Sequence, residues 1–280
     1  MNLRMFPVHS NQSRRLRRVS ASSDVAHVSS DRPQHPLMSS EVQALKEAYQ
    51  LVNSTSQRNR FEYLSQSDRE VLIRQQAMDK VQQGDVTAAI DLYTQLIRYN
   101  PHSASNFNNR GLLHFQNGQP QLALLDYQQA LLLNPKLGRV YNNRANCYAA
   151  LGSFDAAIAD YETAIDLDPT DIRARLNLGI TLRQLGCYHE AIETFETALQ
   201  CSQFLNIANL ISTSADEGHL YAERGRTYHL LGDWNCAVAD YNRALEHLPL
   251  SGSASSSSHR LRTQVRNWLN QLFSPLKKAK

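Results

Sequence analysis

Small, apolar and aromatic positions recur along the middle of the chain in a pattern that predicts pairs of helices. A glycine stands between the two helices of each pair, an alanine follows five residues later, and an aromatic residue follows four residues after the alanine. Residues four apart lie on one face of a helix, so the alanine and the aromatic residue share the packed face of the second helix. The three columns are Gly84, Gly118, Gly152, Gly186 and Gly232; Ala89, Ala123, Ala157, Ala191 and Ala237; and Tyr93, Tyr127, Tyr161, Phe195 and Tyr241.

The pattern has a fixed period. Successive glycines of the column are 34, 34, 34 and 46 residues apart, and a constant period of about 20 to 50 residues indicates an array of structural repeats. Glycine permits the tight turn between the paired helices. Four of the second helices are predicted to end at a proline: Pro101, Pro135, Pro169 and Pro249.

Two stretches carry most of a known repeat signature. They are FNNRGLLHFQNGQPQLALLDYQQALLLNP at residues 107–135 and YNNRANCYAALGSFDAAIADYETAIDLDP at residues 141–169. With these motifs the sequence resembles the tetratricopeptide repeat family. The resemblance implies an all-α fold, a right-handed α-solenoid of five helix-turn-helix repeats with helical caps. It places the repeats within residues 67–249, at about 70–103, 104–137, 138–171, 172–217 and 218–249.

The ends of the chain differ from the repeats. Residues 1–40 contain prolines, serines and arginines without periodicity, which predicts a disordered basic segment. Residues 41–66 are expected to form an N-terminal helical cap, and a capping-box pattern at Ser67–Glu70 predicts the start of the first repeat helix. Residues 250–258 form a serine-rich linker, and residues 259–280 a C-terminal capping helix with a basic tail.

Two segments have a structural and a functional interpretation. The C-terminal helix has an apolar stripe that covers the last repeat, or it rests on an anionic membrane surface through its basic face and Trp268. The twelve additional residues of the fourth repeat, around 204–217, lengthen a helix or offer an apolar knob to a partner. The two stripes are Leu261, Val265, Trp268, Leu269 and Leu272, and Phe204, Ile207, Leu210 and Ile211.

Comparison of the repeats with one another predicts ion pairs within them. An arginine in the first helix and an aspartate in the second occur together in three repeats and are absent together from the other two. This matched loss favours clamps between the two helices over arginines that bind an acidic ligand. The predicted pairs are Arg110–Asp126, Arg144–Asp160 and Arg224–Asp240.

Asparagines recur in the first helices, next to the arginine column. The resemblance implies that first helices line a concave groove that holds a peptide, and an amide side chain can both donate to and accept from an extended backbone. The alternative is that these amides satisfy neighbouring carbonyl groups or face solvent. The candidate groove residues are Asn108, Asn109, Asn142, Asn143, Asn146 and Asn177, with Arg139 and Arg173 as cations for a carboxylate.

The cochaperones that grip a C-terminal carboxylate look similar at this level. Their clamp uses a lysine and an asparagine in one repeat, an asparagine in the next, and two basic residues in the third. This sequence offers Arg74, Met78, Asn109, Arg139 and Asn143 at those places. Met78 and Asn143 depart from the pattern, so we expect an incomplete clamp.

The charge is unevenly distributed along the chain. The total is +3, but residues 1–40 carry six basic and two acidic residues, and residues 251–280 carry six basic and no acidic residues. Residues 41–250 therefore hold 17 basic and 24 acidic residues. A body of this composition is expected to favour neutral or basic peptides, while the basic ends can reach an anionic surface.

The sequence shows no pattern that requires chemistry. Four cysteines without a C-x-x-C pair predict reduced, half-buried thiols. The ten histidines have no metal-ligand spacing, so neither a metal nor a cofactor is expected. No apolar run approaches the roughly 18 to 20 residues of a membrane span. We therefore expect a soluble protein that is not an enzyme.

The N-terminal segment has three interpretations, and the sequence does not decide among them. The stretch from Arg14 to Ser20 resembles an organelle transit peptide, or contains a basophilic kinase site, or belongs to an extension upstream of a start at Met38. The expected location is the cytoplasm, or an organelle stroma or matrix if residues 1–37 act as a transit peptide.

These observations predict a non-catalytic scaffold or adaptor that binds a protein or peptide segment in the concave groove. The alternatives are binding of nucleic acid or an anionic membrane surface through the basic termini, and a cochaperone-like adaptor with the incomplete clamp. The sequence does not identify the partner, and nucleic acid is the less favoured one because the aromatic platforms of a single-strand binder are missing.

Overall fold

The computed structural model of the chain describes residues 65–207, 214–249 and 257–277. These ranges contain eleven α-helices and no strand. The helices are α1 (Gln66–Gln82), α2 (Val86–Tyr99), α3 (Ala104–Gln116), α4 (Pro120–Leu133), α5 (Gly138–Ala150), α6 (Phe154–Leu167), α7 (Ile172–Leu185), α8 (Tyr188–Ile207), α9 (Ser214–Leu231), α10 (Trp234–His247) and α11 (Ser257–Lys277). Five consecutive pairs, from α1–α2 to α9–α10, form the array, so the predicted fold class, an all-α solenoid, is confirmed.

The first helix begins slightly earlier than its capping-box pattern predicted. Ser65 is the N-cap of α1, and its hydroxyl oxygen accepts a hydrogen bond from the backbone N–H of Asp68 at 3.2 Å. Ser67, the predicted cap, lies within the first helical turn. The disordered segment predicted for residues 1–40 and nearly all of the cap predicted for 41–66 lie outside the described residues.

Glycine has two different roles in the array. At the turn between α3 and α4, Gly118 has a φ of +73°, a conformation that side chains disfavour. In the middle of α7, Gly179 lies against the ring of Phe195 in α8, and a Cβ atom there would lie 2.5 Å from Cε1 of that ring. In this pair the two helices therefore approach more closely than a residue with a side chain would allow.

Additional residues in the fourth repeat lengthen two helices. α8 has 20 residues where α4 and α6 have 14, and α9 has 18 where α3 and α5 have 13. Leu205 is buried in the core, while Phe204 and Ile207 are 67% and 83% exposed. In α9, the buried carboxylate of Glu217 accepts hydrogen bonds from Ser202 at 2.9 Å and Asn206 at 2.6 Å. The extension thus both packs internally and exposes apolar side chains; Leu210 and Ile211 lie outside the described residues.

The last helix, α11, packs on the last repeat. Leu261 and Val265 are buried in its interface with α9 and α10. The guanidinium of Arg262 donates to the carbonyl oxygens of Leu245 and Leu248 at the end of α10, the latter at 2.6 Å. The ring of Trp268 lies 5.7 Å from that of Tyr241, between centroids. Trp268 is thus engaged within the protein, which removes support from its predicted role on a membrane surface.

Candidate partner-binding groove

The first helices of neighbouring repeats contact one another directly. Arg139 in α5 donates to the hydroxyl of Ser105 in α3 at 3.0 Å, and Arg183 in α7 pairs with Glu223 in α9 at 2.7 Å. Direct contact between successive first helices is what the inner row of a curved array requires. This row, formed by α1, α3, α5, α7 and α9, is the candidate groove.

Three of the six candidate asparagines are buried between repeats. Asn108, Asn142 and Asn177 are 4%, 9% and 7% exposed. Asn108 accepts a hydrogen bond from Asn143 at 3.0 Å, and Asn142 accepts one from Asn177 at 3.1 Å, each across a repeat boundary. These side chains join neighbouring first helices, so the alternative interpretation, in which the amides satisfy neighbouring groups, describes these three.

The other candidate asparagines are half-buried and reach the groove surface. Asn109 donates to the hydroxyl of Tyr93 at 3.3 Å, and Asn146 accepts from the hydroxyl of Tyr161 at 2.7 Å. Asn143 donates to Asn108, and no described residue donates to its carbonyl oxygen. The amides that remain accessible to a ligand are therefore those of Asn109, Asn143 and Asn146.

Apolar residues share this face, and the sequence pattern did not single them out. Leu112 and Ile180 follow the asparagine column by three residues, the same register as Asn146, so they lie on the same side of their helices. Both are half-buried. The position three residues after each asparagine of the column would have identified them from the sequence. The accessible surface therefore combines amide groups with apolar contacts.

The structure brings each predicted arginine–aspartate pair together. Nε and a terminal nitrogen of each guanidinium contact both carboxylate oxygens, at 2.8 and 2.6 Å for Arg110–Asp126, 2.7 and 2.7 Å for Arg144–Asp160, and 2.7 and 2.8 Å for Arg224–Asp240. The hydrogen bonds that Arg144 donates to Asp160 raise the pKa of Arg144 despite its partial burial. The paired arginines clamp first helix to second and are committed within the fold.

Arg139 and Arg173 have a different environment. Both are exposed in the first turn of α5 and α7 and stand 34 residues apart, at the same position of successive repeats. Helix N-termini carry a partial positive charge, which adds to that of the two guanidinium groups. A third arginine, Arg175, is buried and donates to the backbone oxygen of Asp171 at 3.4 Å. The edge of the groove is therefore cationic at two neighbouring repeats.

Charge is segregated between the two rows of helices in repeats two to four. The first helices α3, α5 and α7 contain six arginines and no Asp or Glu, whereas the second helices α4, α6 and α8 contain eight Asp or Glu and no Lys or Arg. The net acidic charge of residues 41–250 is therefore not spread evenly over the two rows, and which peptides the body favours stays a prediction. In these three repeats the helical carboxylates lie on the second helices, whereas α1 and α9 of the groove row carry three each.

The incomplete carboxylate clamp is also altered by packing. Arg74 donates to the buried Asn106 at 3.3 Å and is engaged with the neighbouring repeat, whereas Arg139 contacts Ser105 through one terminal nitrogen and stays exposed. Among the described residues, no group of three His, Cys, Asp or Glu side chains is arranged to hold a metal ion. In the same residues no helix is long and apolar enough to cross a membrane.

Comparison with known proteins agrees with this geometry. Residues 74–138, 138–171 and 160–193 match family models described as tetratricopeptide repeat. TTC0263, a thermophilic TPR protein of Thermus thermophilus, is similar over 71% of this chain and 98% of its own, with 18% identity and a TM-score of 0.57. The crystal structure of MamA is similar over 61% and 93%, with 21% identity and a TM-score of 0.51. Comparison with curated protein sequences finds no relative.

The helix pairs within residues 74–193 are therefore tetratricopeptide repeats, and the other pairs of the array have the same architecture. The repeat architecture is in general that of a non-catalytic scaffold for protein–protein interaction. The structures similar to this chain establish its fold and do not identify its partner.

Proposed function

We propose that this protein is a non-catalytic scaffold whose groove holds an extended segment of a partner protein that carries acidic side chains. The observation that carries the proposal is that Arg139 and Arg173 are exposed at the same position of neighbouring repeats, in a row where the groove helices α3, α5 and α7 contain no Asp or Glu. A cationic groove attracts an acidic segment and repels a basic one.

The contacts have separate roles. Arg139 and Arg173 are exposed and meet carboxylates of the ligand, which guanidinium groups bind with short, charge-assisted hydrogen bonds. The amide of Asn143 contacts the ligand backbone through its available carbonyl oxygen. Leu112 and Ile180 contact apolar side chains of the segment. The preferred ligand is thus a chain segment that contains both acidic and apolar residues.

A selection of random peptides displayed on phage tests the proposal with the purified full-length chain. Selected peptides should be enriched in Asp and Glu. Their affinity for the R139A/R173A variant should fall about tenfold for each arginine removed, because each loses one charge-assisted contact. The matched control is E190A/E193A, which removes two exposed charges from α8 on the other row and should bind as the wild type does.

Two results would contradict the proposal. One is a set of selected peptides with no excess of acidic residues. The other is equal affinity of the selected peptides for the wild type and R139A/R173A, with both proteins folded by far-ultraviolet circular dichroism. Binding should also weaken with added salt, because the two arginines are exposed and ions screen their charge.

A further inference from the structure

One second helix exposes a stripe of leucines. In α4, Leu122, Leu125 and Leu132 are 44%, 59% and 70% exposed. With Gln129 they follow the spacing of three, four and three residues, which places all four side chains on one face of the helix. This face lies on the row opposite the groove helices, so the proposed peptide site does not use it.

Repeat packing does not require these leucines. The equivalent positions of the neighbouring second helices are small or charged: Ala88, Asp91 and Arg98 in α2, and Ala156, Ala159 and Asp166 in α6. Those helices form the same pairs without an apolar outer face. The leucines of α4 therefore fit a contact outside the repeat.

We propose that the occupant of this stripe is α4 of a second copy of the chain. The outer face of α4 is uncharged. The helix has two ionisable residues, Tyr127 and Asp126, and Asp126 is buried and paired with Arg110. Two identical faces of this kind meet without repulsion. Leucines at heptad positions let two such helices pack side by side, and a single polar residue among them, here Gln129, sets their register. The dimer has two-fold symmetry.

Charge on the flanking helices selects the direction of pairing. In a parallel pair α2 of one copy faces α6 of the other, and Arg98 and Asp166 lie at the level of Leu132. Both are exposed, and within the described part of the chain neither forms an ion pair. In an antiparallel pair α6 would face α6, which brings together the exposed carboxylates of Asp155, Glu162 and Asp166. The parallel arrangement pairs opposite charges.

The size of the stripe indicates a transient dimer. A stable interface buries about 800 Å² on each partner, and three leucines with their glutamine neighbours offer less than that. We therefore expect dissociation in the micromolar range. Since the grooves lie on the opposite row, a dimer presents two of them at once, and a partner with two binding segments gains affinity by engaging both.

Sedimentation velocity of the full-length chain over a range of concentrations tests the proposal. The wild type should shift from monomer to dimer as its concentration rises, and L125E/L132E should weaken dimerisation at least about tenfold, because it places four carboxylates at the contact. The control F204E adds a charge to another exposed apolar residue and should dimerise normally. A wild type that stays monomeric, or L125E/L132E that dimerises as the wild type does, overturns the proposal.

A charge exchange tests the parallel direction. R98E and D166R each place like charges together at two symmetric contacts, and each should weaken the dimer. R98E/D166R restores opposite charges and should recover most of the wild-type affinity. Failure of the double variant to dimerise better than either single variant overturns the parallel arrangement, and circular dichroism of every variant separates this result from a loss of fold.

Discussion

The Arg144–Asp160 clamp can be removed in two ways, which are expected to lower the free energy of unfolding by different amounts. D160T removes the carboxylate and leaves the guanidinium without its partner. R144L/D160T removes both charges and installs the residues that the fourth repeat has at these positions, Leu178 and Thr194. Leu178 is buried there, 8% exposed, so the slot between the helices accepts an apolar side chain.

The structure gives the magnitudes. The side chains of Arg144 and Asp160 are 21% and 10% exposed, and their two hydrogen bonds are 2.7 Å long. A hydrogen bond to a charged group contributes about 1.5 to 3 kcal/mol, and Arg144 keeps a cation–π contact with Tyr141 at 5.4 Å when the aspartate is lost. We expect D160T to lower the free energy of unfolding by about 2 kcal/mol and R144L/D160T by less than about 1 kcal/mol.

Thermal and urea denaturation followed by circular dichroism measure these costs. For a chain of this size about 2 kcal/mol corresponds to a fall in Tm of roughly 4 to 8 °C. The control is E162T, which removes an exposed carboxylate from the same helix and should change Tm little. A double variant as unstable as D160T, or a D160T as stable as E162T, would refute the reasoning.

Three further substitutions test the packing of individual contacts. G179A should lower Tm, because the added Cβ would lie 2.5 Å from the ring of Phe195, and overpacking costs about 1 to 3 kcal/mol; G179A/F195L should recover part of the loss. R262A should release α11, because two carbonyl oxygens at the end of α10 lose their donor, and Trp268 fluorescence should shift to the red. Burial lowers the pKa of His219 below its ordinary value of 6.5. The folded state is therefore fully stable above pH 6.5, where this histidine is neutral in the folded and the unfolded chain. The stability falls as the pH drops below 6.5, because the unfolded chain then binds a proton more readily than the folded one. H219Q should therefore flatten the fall in Tm between pH 7 and 5, measured by thermal denaturation.

The repeat fold could be predicted from the sequence because its turns and close helix contacts each require a particular type of residue. The turn at Gly118 needs a positive φ, and the ring of Phe195 needs a residue without a side chain at Gly179. The turn requirement recurs in every repeat, so it appears in the sequence as a column. The ion pairs were predictable for the same reason, since the positions of Arg144 and Asp160 hold arginine and aspartate together in three repeats and neither of them in the other two.

The asparagine column was harder to interpret because its exposure depends on how neighbouring helices are rotated. Asn108 and Asn109 are adjacent in the sequence, yet one is buried against the next repeat and the other reaches the groove. Periodicity assigns a residue to a side of its own helix but does not give the angle to the next helix. Asn177 is equivalent to Asn109 and is nevertheless buried.

The charge of the groove was missed for a different reason. Sums over long ranges combine first and second helices, which alternate along the chain and carry opposite charge in repeats two to four. Counting each row separately would have shown that the first helices of these repeats contain arginine and no Asp or Glu. The extension of the fourth repeat was likewise predicted as one segment, whereas its residues are divided between α8 and α9.

The most direct test of the central claim, that the groove holds a partner segment, is site-specific photo-crosslinking. A photoreactive amino acid replaces Leu112 on α3, in the groove, or Gln128 on α4, on the other row. A selected acidic peptide is added to each protein, and crosslinked product is measured by mass spectrometry after illumination. We expect product from position 112 and little from position 128. Equal product from both positions, or product from position 128 alone, would contradict a peptide site in the groove.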